Sequence, residues 1–379
     1  MKLLFLTFGS SLIPSSRTRV YQYLPFFERD GFCYKVIHNF NDVPYLLKNI
    51  NNSISFKIRR QFLKKCAHLG FRLLINFFNI CNVFYSVLQI TKSVLLLIFS
   101  NYDVFFVQKV FLPISLLRFL KWRNKILIFD FDDAIYTQRG YFRNQKRFNR
   151  MIPLFDLVVL ENDDSEEYVR SLSDVSILRI TGPIDTDRYQ SNGVRGSEFI
   201  YIGWIGSPST QKYVYTISDA ISSICKKFPN VVFETIGAGK LDIDNSRINQ
   251  KDWLYLTEVE NLQNFDIGIM PLSDDKWTKG KGGYKLLQYM ALGIPCCASP
   301  VGINNKLVVE GVNGFLPNST EEWIVRLSSL IENCDLRSEM GRNGRVIAER
   351  EYSFQSYYPL IRGKLISLVN DSQTSACVR

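Results

Sequence analysis

Twice along this chain a short apolar run suited to a buried strand leads through a glycine- or serine-bearing loop into a helically spaced stretch, and then back to a strand. The first pass takes Leu3 to Thr7, the loop Phe8 to Ser16, Arg17 to Arg29 with Val20, Tyr23, Leu24 and Phe27 on one face, and Tyr34 to Asn39. The second takes Phe199 to Ile202, the loop Gly203 to Gly206, Gln211 to Lys227 and Val231 to Ile236, ahead of the turn Gly237-Ala238-Gly239. Such alternation builds parallel sheets with helical crossovers, and a chain of 379 residues exceeds what one core usually serves. The expectation is an α/β protein of two Rossmann-like domains facing across a cleft. They cover 1–183 and 184–353 and are divided near Thr181-Gly182-Pro183. Val104 to Val107, Ile126 to Phe129, Leu157 to Leu160 and Ser176 to Ile180 add strands to the first domain. Trp253 to Leu256, Ile267 to Met270 and Pro295 to Ala298 add strands to the second, with helices at Tyr284 to Leu292, Glu321 to Asn333 and Leu336 to Glu351. A last helix and a polar tail follow Tyr352.

A net charge of +10 favours anionic partners: nucleic acid, an anionic membrane face or a phosphorylated small molecule. No recognition-helix module or basic aromatic sheet motif supports nucleic acid. The eight cysteines form no CxxC pair, and the only histidines are His38 and His68, so zinc and Ser-His-Asp chemistry have little to work with. The cysteines read as reduced core thiols. The N-terminal apolar run, MKLLFLTFGSS, is too short for a signal peptide and fits a first strand.

From Val43 to Tyr102 there is no acidic residue, while Lys57, Arg59, Arg60, Lys64, Lys65, Arg72 and Lys92 are interleaved with apolar residues. The apolar stretch Leu73 to Phe99 is interrupted by Asn76, Asn79, Asn82, Gln89 and Lys92, which argues against a span of about 20 apolar residues. Two readings stand. Residues 56–99 form basic amphipathic helices on an anionic membrane surface, or core helices with solvated basic faces.

Asp266 to Pro317 concentrates ligand-binding chemistry. Gly280, Gly282 and Gly283 precede a helix opened by Tyr284, where free amides and the positive end of the dipole join Lys279, Lys281 and Lys285. That set suits a phosphate. The competing reading is a solvated basic loop before an ordinary helix. Gly9-Ser10, Gly203 to Ser207 and the turn glycines Gly237 and Gly239 sit at strand ends, where Rossmann ligands collect. Asp130, Asp132 and Asp133 also follow a strand. Asp130-Phe131-Asp132 has the spacing of a metal-binding DxD, but Asp185-Thr186-Asp187 and Asp242-Ile243-Asp244 repeat it, so no metal site is assigned. Helix capping is the structural alternative for these aspartates.

The segments PIDTDRY (183–189), IGWIGSPST (202–210), ETIGAG (234–239), DIGIMPL (266–272), GGYKLLQYMALGIPCCASPVGINNKLVVEGVNGF (282–315) and GRNGRVIAEREYS (341–353) resemble family 4 glycosyltransferases of the two-Rossmann-domain (GT-B) type. With the FDDAIY segment of the first domain, the likeness extends to a branch that builds bacterial surface polysaccharides such as O-antigen, capsule and lipopolysaccharide. It implies a retaining, metal-independent transferase with no cofactor beyond its co-substrate, a nucleotide-diphosphate sugar, most commonly UDP-linked. The first domain would take a glycan or lipid-linked acceptor, and a final helix at about 354–379 would cross back to it. The enzyme would be cytoplasmic and peripheral on the inner face of the plasma membrane.

The same likeness assigns Gly9, Ser10, Arg17, Gly203, Trp204, Gly206, Ser207, Gly237, Gly239, Gly282, Gly283, Tyr284, Gln288 and Glu310 to the donor. The catalytic candidates are Asp130, Asp132 and Asp133, where relatives often place a histidine or aspartate near the sugar, together with Lys285. Two departures stand out. The family's paired glutamates fall on Gly280 and Gln288, and its phosphate-binding arginine falls on Trp204, with the companion lysine near Thr210 or Lys212, so Lys285 becomes the candidate for the missing diphosphate charge. A nucleotide-sugar 2-epimerase of similar fold and a decayed nucleotide-sugar-binding scaffold are the alternatives.

Overall fold

The computed structural model describes residues 1–38, 98–99, 101–137, 145–191, 198–243 and 247–377. The expected basic amphipathic segment therefore lies almost wholly outside the described residues. Among those described, no helix is long and apolar enough to cross a membrane.

Two six-stranded sheets, parallel throughout, organise the molecule. The first contains β1 (Lys2–Thr7), β2 (Cys33–His38), β3 (Val104–Gln108), β4 (Ile126–Asp130), β5 (Leu157–Leu160) and β6 (Ser176–Arg179), in the order β2-β1-β3-β4-β5-β6. The second contains β7 (Ile200–Ile205), β8 (Val231–Ile236), β9 (Ile248–Lys251), β10 (Ile267–Met270), β11 (Cys296–Ala298) and β12 (Gly314–Phe315). Its order, β12-β11-β10-β7-β8-β9, is the doubly wound arrangement that reverses beside its first strand. With helices on both faces, β3, β4, β5 and β10 are buried along their whole length, and apart from Gln108 and Asp130 at two strand ends they are apolar runs.

Six helices matter for the site: α1 (Pro14–Arg19), α2 (Asp163–Arg170), α3 (Lys276–Lys279), α4 (Tyr284–Ala291), α5 (Cys334–Glu351) and α6 (Phe354–Cys377). α6 returns to the first domain. Its Phe354, Tyr357, Tyr358, Ile361 and Leu365 share a core with Leu3, Phe5, Tyr23 and Phe27, and the Tyr358 hydroxyl donates to Phe26 O at 2.9 Å. The two chain crossings lie side by side: Ile184 N donates to Tyr352 O at 2.8 Å, and Phe354 N donates to Ile184 O at 3.3 Å.

Several local expectations are corrected. The stretch Arg17 to Arg29 is not one helix; the backbone leaves helical geometry at Val20 (φ −132°, ψ −60°), and Pro25 sits in the first turn of a second short helix, Leu24–Arg29. Gln211 to Lys227 starts as a 3-10 helix to Ile217 before the α-helix Ser218–Lys227. The strand expected at Trp253 to Leu256 is instead Ile248–Lys251, an edge strand whose polar run shows little apolar pattern because it has a neighbour on one side only. Gly203 and Trp204 lie inside β7, not in the loop after it. Among cysteines with described side chains, Cys225, Cys296 and Cys297 are buried, but Cys33 and Cys334 are exposed and so are not core thiols.

Candidate functional site

The carboxyl ends of both sheets face one another, and the wall from the first domain is built on charge. Asp130 ends β4 at zero exposure, where Arg19 of α1 grips it through Nε at 3.0 Å and Nη2 at 2.6 Å. Arg19 also reaches Glu161, just past β5, at 3.2 Å. Burial raises the Asp130 carboxyl, opposed by the Arg19 charge. Asp130 is thus held inside the domain, while half-buried Asp132 and Asp133 stand at the cleft. Lys109, at the end of β3 with a left-handed backbone (φ 55°), forms an ion pair with Asp132 and lies 3.6 Å from Asp133.

Glu161 escaped the sequence reading. Its Oε1 accepts from Arg19 and from Gly182 N, each at 3.2 Å, and the residue is 5% exposed. Burial pushes its carboxyl up to about 7, with Arg19 opposing and Asp133 adding to the shift. The available signal was an acid closing the apolar run Leu157–Leu160, much as Asp130 closes Ile126–Phe129.

The opposite wall starts at Asp275, whose Oδ1 caps α3 by accepting from Trp277 N and Thr278 N, each at 2.9 Å. Gly280-Lys281-Gly282-Gly283 then leads into α4. The first and third of these residues have a use that the sequence did not reveal: a side chain at 280 would strike Ala134, and one at 282 would strike the Glu161 carboxylate. They admit the other domain. Gly283 has φ 69°, the left-handed turn that starts α4 and leaves its first amides free of helical partners.

Lys285, in the first turn of α4, is half-buried, with Nζ 4.9 Å from the Trp204 ring centroid. Its Cε lies close to Gly206, which a side chain at 206 would crowd. Burial pushes the Lys285 ammonium down to about 7; nearby Lys281 lowers it further, and Asp133 partly restores it. Lys281 Nζ rests 5.5 Å from the Trp277 ring and 5.9 Å from the Tyr213 ring. The Lys281–Lys285 pair, set against Trp204, Tyr213 and Trp277, thus meets the Lys109, Asp132 and Asp133 group through Asp133, whose charge acts on Lys285.

Other residues singled out in the sequence lie round this centre or away from it. Gly9 N donates to Ser16 Oγ at 3.0 Å, the Ser10 hydroxyl accepts from Leu12 N at 3.2 Å, and Ile13 covers Gly9. Gly203 is covered by the Phe265 ring, and Trp204 is 1% exposed. Ser207 Oγ pairs with Ser209 Oγ at 2.8 Å in the loop after β7. Gly237 and Gly239 both take positive φ after β8, and the first lies against Gly206 O and Trp253.

Arg17 is 7% exposed and stacks 4.3 Å above the Tyr255 ring, across the cleft, while Arg188 stacks 3.9 Å from the same ring. Gln288 donates to the Tyr189 hydroxyl at 2.9 Å, and that hydroxyl donates to Glu258 at 2.5 Å. Glu258, which also accepts from Trp253 Nε1, is a second carboxylate that the sequence reading missed. Tyr284 lies beside this network, and burial pushes its hydroxyl above the ordinary phenol value. Glu310 is turned to other work: its oxygens take Leu316 N at 2.6 Å and Arg326 at 2.9 Å. Among the described residues there is no group of three His, Cys, Asp or Glu side chains placed to hold a metal.

Residues 197–333, the greater part of the second domain, match the family model described as Glycosyl transferases group 1. A capsular polysaccharide biosynthesis glycosyltransferase, CapM of Staphylococcus aureus, is 23% identical over 187 residues, 45% of this chain. The match spans about half, 47%, of that relative's length. Sucrose-phosphate synthase from Thermosynechococcus elongatus superposes with a TM-score of 0.67 at 13% identity, over 98% of this chain and 100% of that one. Anabaena HepE, solved in complex with UDP, gives 0.60 at 15% identity over 97% and 100%. The chain has the GT-B architecture of these structures, and its own final helix returns to the first domain.

Proposed function

We propose that this protein is a retaining, metal-independent glycosyltransferase. It moves a sugar from a nucleotide-diphosphate sugar, UDP-linked by preference, to a hydroxyl of a glycan or lipid-linked acceptor in bacterial surface polysaccharide synthesis. The observation that carries this reading is the meeting of Lys285, Lys281 and the free amides of α4 with Asp132, Asp133 and Lys109 across one cleft. Breaking the bond between the anomeric carbon and the diphosphate leaves negative charge on phosphate oxygens, and preorganised ammonium groups and amides stabilise that charge as it develops. The acceptor oxygen forms the new bond on the same face, and its proton passes to the departing diphosphate. The two aspartates lie where they can orient the acceptor hydroxyl or face developing positive charge on the sugar.

The donor belongs with the second domain on this reading, and the acceptor with the first. The UDP bound to HepE and the capsular role in CapM's name support donor and pathway class respectively. The net charge of +10 supports work at an anionic surface on the cytoplasmic side of the membrane. The test is incubation with a panel of nucleotide sugars, with and without EDTA. Transfer, or slow donor hydrolysis that EDTA does not abolish, with the anomeric configuration kept, is the expected result. Interconversion of the sugars, or loss of turnover on chelation, would overturn it.

A further inference from the structure

Several contacts between the two domains fall within one short segment, residues 275–283. Trp277 belongs to the second domain, yet its ring packs against the core of the first. Gly280 lies on Ala134, Gly282 lies on Glu161, and Asn162 Nδ2 donates to Lys281 O at 3.3 Å. In the middle of this docked segment stands Lys281. Its Nζ faces the Trp277 and Tyr213 rings and has no carboxylate within ion-pair distance among the described residues. Tyr213 is only 2% exposed and forms a fixed wall. An ammonium set between two aromatic faces is steered by ring quadrupoles, which fix its direction without cancelling its charge. Lys285 is near enough for the two charges to repel. A pair of like charges left short of counter-charge at a cleft fits a polyanion.

We propose that Lys281 is a second phosphate-contacting side chain of this site, and that Trp277 is the positioning residue that aims it. This rests on the nucleotide-diphosphate reading above. The diphosphate supplies the charge that Lys281 and Lys285 lack. Because Trp277 is anchored in the first domain's core, the geometry at Lys281 depends on the two domains being docked. Donor affinity and domain closure are thereby tied through one side chain. The pairing also accounts for how a chain with Trp204 in β7 meets the diphosphate: the cations come from the segment leading into α4 and from its first turn.

The test uses the full chain. Calorimetric titration with inorganic pyrophosphate and with UDP is combined with donor KM and kcat measurements for Lys281→Ala, Lys281→Arg, Trp277→Ala and Trp277→Phe. Lys281→Ala weakens pyrophosphate binding and raises donor KM about tenfold, more than it lowers kcat, and Lys281→Arg recovers most of the loss. Trp277→Ala gives a similar rise in KM although Lys281 is intact, Trp277→Phe restores it to within about threefold, and the double alanine variant is no worse than Lys281→Ala alone. Unchanged constants in Lys281→Ala, with tight binding by the parent protein, would overturn this proposal and leave the donor reading standing. A Trp277→Ala loss that adds fully to that of Lys281→Ala would reduce Trp277 to a structural role. Failure of the parent protein to bind either ligand would overturn the donor reading itself.

Discussion

Lys285 gives the sharpest handle on the chemistry, because burial beside Trp204 and Lys281 holds its ammonium near pKa 7 instead of the ordinary 10.5. In the free protein it is half protonated near pH 7, and only the protonated form brings charge to a diphosphate. As pH rises through about 7 the ammonium is lost, and kcat/KM for the donor falls and then levels off once Lys285 is neutral. A charge-assisted contact to phosphate is worth about 1.5–3 kcal/mol, so Lys285→Ala lowers kcat/KM by about 10- to 150-fold at pH 6.5, where the parent residue is charged. Lys285→Arg keeps its charge at every accessible pH and flattens the alkaline fall, at some cost in geometry. The assay is initial-rate transfer or donor hydrolysis from pH 6 to pH 9.5 for the three proteins. A parent profile that stays level to pH 9.5, or an alkaline limb unchanged in Lys285→Arg, refutes the assignment of this charge to Lys285.

The remaining predictions separate structural from reactive carboxylates. Asp130→Asn strips the fully buried Arg19 of its main partner and costs about 3–5 kcal/mol of stability, read in denaturant unfolding, whereas Asp133→Asn lowers kcat by about tenfold or more with little change in the midpoint. Glu161 has a folded pKa near 7, above the ordinary 4.5. Its contribution to stability is therefore full below about pH 4.5 and is lost as pH rises through 7, because the unfolded chain releases the proton first. Glu161→Gln removes that titration, so Tm declines less between pH 5 and pH 7.5 than in the parent; identical slopes would exclude Glu161 as the source.

Much of the framework was readable because strands of a parallel sheet covered on both faces are unbroken apolar runs. Val104 to Val107 and Ile126 to Phe129 show this plainly. Where a strand has a neighbour on one side only, as at Ile248–Lys251, the pattern fades, and the apolar Trp253 to Leu256 drew the assignment away. Those residues form a loop instead, with Leu254 and Leu256 exposed and Tyr255 clasped by two guanidinium groups. The lysines of the phosphate-suited stretch were legible from local composition.

The reason for the glycines beside those lysines was not. Gly280 and Gly282 make room for Ala134 and Glu161, more than a hundred positions away in the chain, and no local pattern encodes that contact. Long-range contact also hid Glu258, which meets Gln288 through Tyr189, 69 positions from the one and 99 from the other. Asp130 shows the converse: a carboxylate in a promising triplet is committed to Arg19, and its two neighbours are left for the cleft.

The central claim is that the diphosphate of a nucleotide sugar sits between the start of α4 and the Asp132–Asp133 loop. Its most direct test is a crystal structure of the protein with UDP bound. The account predicts phosphate oxygens within about 3 Å of Lys285 Nζ and of the amides at the start of α4, with Lys281 turned to the same group. A nucleotide bound elsewhere, or one whose phosphates contact neither lysine, would contradict it.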